Sequence, residues 1–148
     1  MNIAMPLSPP VPTSSPTGAT AIPNLPRLVQ AGTTVATELH TAFRAMLAIE
    51  GVIPSAAAAE RLAAGMPGHA ENVGNLGRIL VKYAGDQPQM AALGARLLAD
   101  ANDIRQVAAE LPFLSRHDVP ISGDHIEPFE NATRDTIDAV KLLRQLMS

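Results

Sequence analysis

The chain has 148 residues, enough for one domain with its own hydrophobic core, and it contains no Cys. That excludes disulfides, thiolate zinc sites, iron–sulfur clusters and Cys nucleophiles. The net charge is −3, and eleven basic residues are scattered among fourteen acidic ones, so no basic face is available to displace counterions from phosphates. The aromatic set, Phe43, Tyr83, Phe113 and Phe129, is too small for a base-stacking platform, and nucleic acid is not an expected partner.

No stretch approaches the run of about 20 apolar residues that spans a membrane. The Ala-rich piece at 56–64 is short and is interrupted by Glu60 and Arg61. A Sec-type signal peptide is not expected either: the first basic residue is Arg27, and prolines break any apolar run before it. The expected location is cytoplasmic, or secreted without such a signal.

Residues 1–24 are rich in Pro, Ser and Thr. Pro removes backbone donors and Ser and Thr compete for local hydrogen bonds, so a disordered tail is expected there, ahead of a folded domain at 25–148. Charge is the unusual feature, because no ionisable side chain precedes Arg27. At the charged fraction of the whole chain, 17%, such a blank arises by chance about once in a hundred tries. This uncharged, Ser/Thr/Pro-rich start resembles the export signals of type III secretion substrates of Gram-negative bacteria. The resemblance is one of composition, covers residues 1–26 only and rests on no motif. Over the whole chain no residue set resembles a known family.

Helical periodicity begins at Asn24, an expected N-cap followed by Pro26 in the first turn. Leu28, Gly32, Val35, Leu39, Ala42, Met46 and Ile49 recur at spacings of four and three up to Gly51, which predicts a long amphipathic helix. Pro54 and Ser55 open a short second helix with Ser55 as its N-cap and Gly65 as its stop; Met66, Pro67 and Gly68 read as a turn. A third helix carries His69, Val73, Leu76, Leu80 and Tyr83 on one side and stops at Gly85. Asp86 is the expected cap of a fourth, with Met90, Leu93, Leu97, Ala101, Ile104, Ala108 and Leu111 as its seam and Pro112 as its end.

The last helix is expected to start at Asp124, with Glu127 as capping-box partner and Pro128 in the first turn. Phe129, Thr133, Thr136, Ile137, Val140, Leu143 and Met147 form its apolar side, and Glu130, Arg134 and Asp138 an i,i+4 ladder on its surface. The fold class is therefore all-α: an antiparallel bundle of about four long helices plus one short one, preceded by the tail.

Polar residues concentrate between the last two helices, where Arg116, His117, Asp118, Asp124 and His125 stand close in sequence. Two imidazoles with carboxylates suit zinc chemically, but the spacing matches no ligand pattern and the acids serve the start of the last helix. No metal, cofactor or small-molecule ligand is assigned. The same loop carries Phe113, Leu114, Val119 and Ile121, which either plug the bundle's end or form a docking edge for a protein partner. Gly74 and Gly77 lie inside a helical pattern with neither the strand nor the Lys-Ser/Thr of a nucleotide loop, so close helix approach explains them better.

No nucleophile elbow, paired-His metalloprotease pattern or other catalytic signature is present, so the expected protein is not an enzyme. The first functional reading is a non-catalytic helical interaction protein, a substrate or component of a type III-like secretion system, binding a protein partner or a second copy of itself. The alternative is a cytoplasmic adaptor or chaperone-like bundle. A small metal protein or enzyme using His117 and His125 ranks last.

Overall fold

A computed structural model describes residues 22–148. The part of the expected tail at 1–21 lies outside the described residues. Four helices follow: α1 (Leu25–Ala48), α2 (Ala56–Tyr83), α3 (Pro88–Arg116) and α4 (Gly123–Leu146), and there is no strand among the described residues. No helix among them is long and apolar enough to cross a membrane.

The expected count of four long helices plus a short one is corrected to four. The residues read as a short helix, a turn and a third helix are one continuous α2, 28 residues long, with Pro67 inside it. Pro67 removes one backbone donor, and a Pro in a helix interior costs about 3 kcal/mol. What carries the helix through is burial on both sides of the proline. Ala59, Met66, Ala70 and Val73 are all buried, spaced as one helical face, while Pro67, Gly65 and Gly68 lie on the exposed side. Most helical stability in proteins comes from such a buried face rather than from propensity.

Pro112 is corrected in the same way. It does not end α3, which runs one further turn to Arg116 because Leu111 and Leu114 are both in the core. That turn closes with a Schellman arrangement: Asp118 takes the left-handed conformation at φ 54°, and Val119 N–H donates to Leu114 O at 2.9 Å. The connection expected between Pro112 and Asp124 thereby shrinks to residues 117–122.

Two expected caps also shift. Gln87, not Asp86, is the residue before α3, after Gly85 has closed α2 at φ 57°. The N-cap of α4 is Ser122 instead of Asp124, and its capping-box partner is His125 instead of Glu127. Ser55 does cap α2, its hydroxyl accepting from Ala58 N–H at 3.1 Å.

The helices form a bundle in which α2 lies mainly on α3 and α1 mainly on α4, with α3 and α4 joining the two pairs. Four residues connect α2 to α3, so the two run antiparallel, and they cross closest at two facing glycines. A Cβ on Gly77 would lie 2.8 Å from the carbonyl oxygen of Gly94, and one on Gly94 would lie 2.8 Å from that of Gly77. A Cβ on Gly32 would likewise lie 2.8 Å from Val140 Cγ2, where α1 approaches α4. Leu39, Met46, Leu80, Met90, Leu97, Ile104, Leu111, Phe129 and Leu143 fill the centre, almost wholly shielded from solvent. Leu, Ile, Met, Val and Ala thus do nearly all the filling, and Phe129 is the one aromatic ring among the buried core residues.

Candidate functional site

One end of the bundle is formed by the last turns of α1 and α3, the start of α4 and the two connections at 49–55 and 117–122. These connections are tied together by backbone. Gly51 N–H donates to Ile121 O at 2.7 Å, and Ile121 N–H donates to Val52 O at 2.9 Å. Gly51 reaches this position with φ at 84°, a conformation that favours glycine. The two bonds hold Ile121 inward, and its side chain is buried in the core with that of Leu114.

Of the four side chains singled out from the sequence, three therefore belong to the bundle's own end: Leu114 and Ile121 are buried, and Val119 packs half-buried against the same cluster. Phe113 differs. It is 48% exposed, and its ring lies 4.2 Å from that of His117, tilted by 35°. Three further large apolar side chains stand exposed at this end, Leu47 on α1 and Val52 and Ile53 on the first connection. Sequence periodicity missed these three because connections and helix ends have no apolar period to break. A cleft of about 620 Å³ between α2 and α3 is lined by Ala56, Glu60, Ala63, Ala64, Pro112, Ser115 and Arg116.

The polar residues of the same region do not converge. His125 is buried as the capping-box residue of α4, where its Nδ1 accepts from Ser122 N–H at 3.0 Å. A ring nitrogen that accepts carries no proton, so the hydrogen sits on Nε2, which faces Glu110 Oε1 at 3.3 Å. His117 is drawn instead to Phe113. No group of three or more His, Asp or Glu that could hold a metal ion occurs among the described residues.

A second polar site lies halfway along the α3–α4 seam. Asp100 on α3 and Asp135 on α4 are buried, at 6% and 7% exposure. Arg96 Nε reaches Asp135 Oδ1 at 3.4 Å from a half-exposed position. Arg134, expected in a surface ladder with Glu130 and Asp138, donates to Asn131 Oδ1 at 2.7 Å. Asp100 Oδ2 has no hydrogen-bond partner, and neither has the hydroxyl of the fully buried Thr136. Burial pushes the Asp100 carboxyl up to about 8, helped by a side-chain hydrogen bond to Asp135 and by repulsion from Asp135 and Asp103, while Arg134 pulls the other way.

No protein-family model matches the chain, and neither a curated protein nor a solved structure is similar to it.

Proposed function

We propose that the protein acts without catalysis, by binding another protein through the apolar end of its bundle. The observation that carries this reading is that Leu47, Val52, Ile53 and Phe113 each stand 45–50% exposed at the end of the bundle where backbone hydrogen bonds hold the two connections in place. A surface of this kind is ready to bind, because little ordering remains to be done when the partner arrives. Covering the exposed half of each side chain contributes about 1 kcal/mol. A photo-crosslinking residue placed at 113 in the full chain tests this in the producing cell. It is expected to give discrete adducts that the same residue at Ile137, exposed on the middle of α4, does not; equal labelling at both positions overturns the reading.

Within that role we place the protein as a substrate or component of a bacterial type III-like secretion system, with residues 1–26 as its export signal. The absence of ionisable side chains before Arg27 supports this. Fusing residues 1–26 to a neutral reporter gives the test. Release that depends on the secretion system is expected, and retention of a stable reporter inside the cell returns the protein to a cytoplasmic adaptor.

A further inference from the structure

Asp100 and Asp135 face each other from two different helices, and the charge around them does not balance. The acids on or beside the site are Asp100 and Asp103 from α3 and Asp135 and Asp138 from α4; the bases are Arg96 from α3 and Arg134 from α4. On the far side of α3, the guanidinium of Arg78 on α2 lies near Gly74 and is bonded to Asn75. Arg134 also gives a hydrogen bond away, to Asn131. Among the described residues only Arg96 forms an ion pair with a buried carboxylate, and it reaches Asp135 at 3.4 Å, not Asp100.

Two buried carboxylates that line one cleft are not stable with both ionised, because each charge has lost its water and repels the other. The unpartnered Asp100 Oδ2 points to the same imbalance. A cleft of about 420 Å³ lined by Arg96, Asp100, Arg134, Asp135 and Asp138 opens the pair to solvent on one side, so a proton can enter or leave without unfolding.

We propose that Asp100 and Asp135 form a proton-operated latch: one proton held between their carboxyls keeps α3 on α4, and losing it loosens that seam. The latch sits where it has most leverage, because α1 and α2 touch little and the α3–α4 contact is the main join between the two helix pairs. It is independent of the docking end and stands or falls apart from it.

The direction in pH follows from linkage. The unfolded carboxyl loses its proton near 3.8, while in the fold burial and the neighbouring carboxylates hold it up to about 8. Between those values unfolding releases a proton, so stability is fully present below 3.8, falls as pH rises, and has lost this contribution above about 8. The unfolding equilibrium constant is expected to rise by up to roughly tenfold per pH unit in that window, the limit for one proton.

Urea unfolding of the full chain at pH 5, 7 and 9 measures this directly, beside Asp100→Asn, whose amide can donate to Asp135 without carrying a titrating proton. The wild type is expected to weaken towards pH 9 and the variant to be nearly flat. A flat wild-type profile, or an unchanged slope in the variant, overturns the latch. Carbon-13 NMR of the Asp100 carboxyl in the unaltered protein decides the matter even if the variant folds poorly: titration in the ordinary carboxylate range refutes the proposal. Added magnesium raising the stability at pH 9 in the wild type but not in Asp100→Asn would make this a cation site and overturn it too.

Discussion

The two halves of α2 are one helix held in different ways. Before Ala70 the helix carries Gly65, Pro67 and Gly68, and apart from Ala59 and Met66 its residues are half-buried or exposed. After it, Val73, Gly74, Leu76, Gly77 and Leu80 are all buried against the bundle. Glycine occurs in both halves with opposite meaning. At Gly65 and Gly68 a Cβ would meet nothing within 4 Å, so these glycines only loosen the chain. At Gly77 the missing Cβ lets α3 approach until the backbones touch. The lesson is that a helical glycine is read by what stands opposite it, since its own propensity is equally poor in both places.

The contrast breaks first if the second half is not where the bundle's stability resides. Leu80→Ala empties a fully buried site on the α3 side and is expected to lower stability by about 2–5 kcal/mol, seen as a lower urea midpoint. A loss within about 0.5 kcal/mol would mean that the second half is as loosely held as the first.

Gly94→Ala comes next in size. Its Cβ would sit 2.8 Å from Gly77 O, 2.8 Å from Val81 Cγ2 and 3.0 Å from Val81 N, and two of these three neighbours are backbone. Overpacking costs about 1–3 kcal/mol, and the gain in helix propensity returns roughly 1. A net loss of about 1–2 kcal/mol is expected in thermal or urea unfolding. A neutral result would mean that the helices part at little cost and that the crossing is not close for energetic reasons.

What was legible in the sequence follows the same division. The seam of α3 was readable at most positions, because Met90, Leu93, Leu97, Ala101, Ile104 and Leu111 are buried as their spacing demands; Ala108, expected with them, is half-buried, and Val107 beside it is buried instead. So were the Ser55 cap, the Gly85 stop and the close approach behind Gly77. The break at Pro67 was misread because a local rule against Pro cannot see that Ala59 and Met66 share a buried face with Val73. The α4 cap was misplaced because an imidazole nitrogen at His125 does the work usually assigned to a carboxylate.

The Asp100–Asp135 pair left a trace that periodicity could have caught. Asp100 stands three residues after Leu97 and four before Ile104, and Asp135 three after Ala132 and four before Ala139, so both fall on core faces. Nothing in the sequence joins two residues so far apart on different helices. The same holds for the candidate docking end: Phe113 could be named, but Leu47, Val52 and Ile53 come to the same end of the bundle only through the fold.

The smallest expected effect is the most discriminating. Gly65→Ala and Gly68→Ala add a Cβ into open space on the exposed face of the first half of α2, so nothing opposes the gain from a stiffer, better helix former. Each is expected to raise stability by about 0.5–1 kcal/mol, and because the sites are one turn apart with no shared neighbour within 4 Å, the two should nearly add. Hydrogen exchange sharpens the point. If the first half of α2 opens on its own, ahead of the bundle, amides near Pro67 exchange through an opening cheaper than global unfolding, and the alanines raise the cost of both alike. If instead α2 unfolds as one unit, those amides exchange only with the global transition. The proline would then be no more than a local flaw in a helix whose cooperativity is set by the crossing at Gly77.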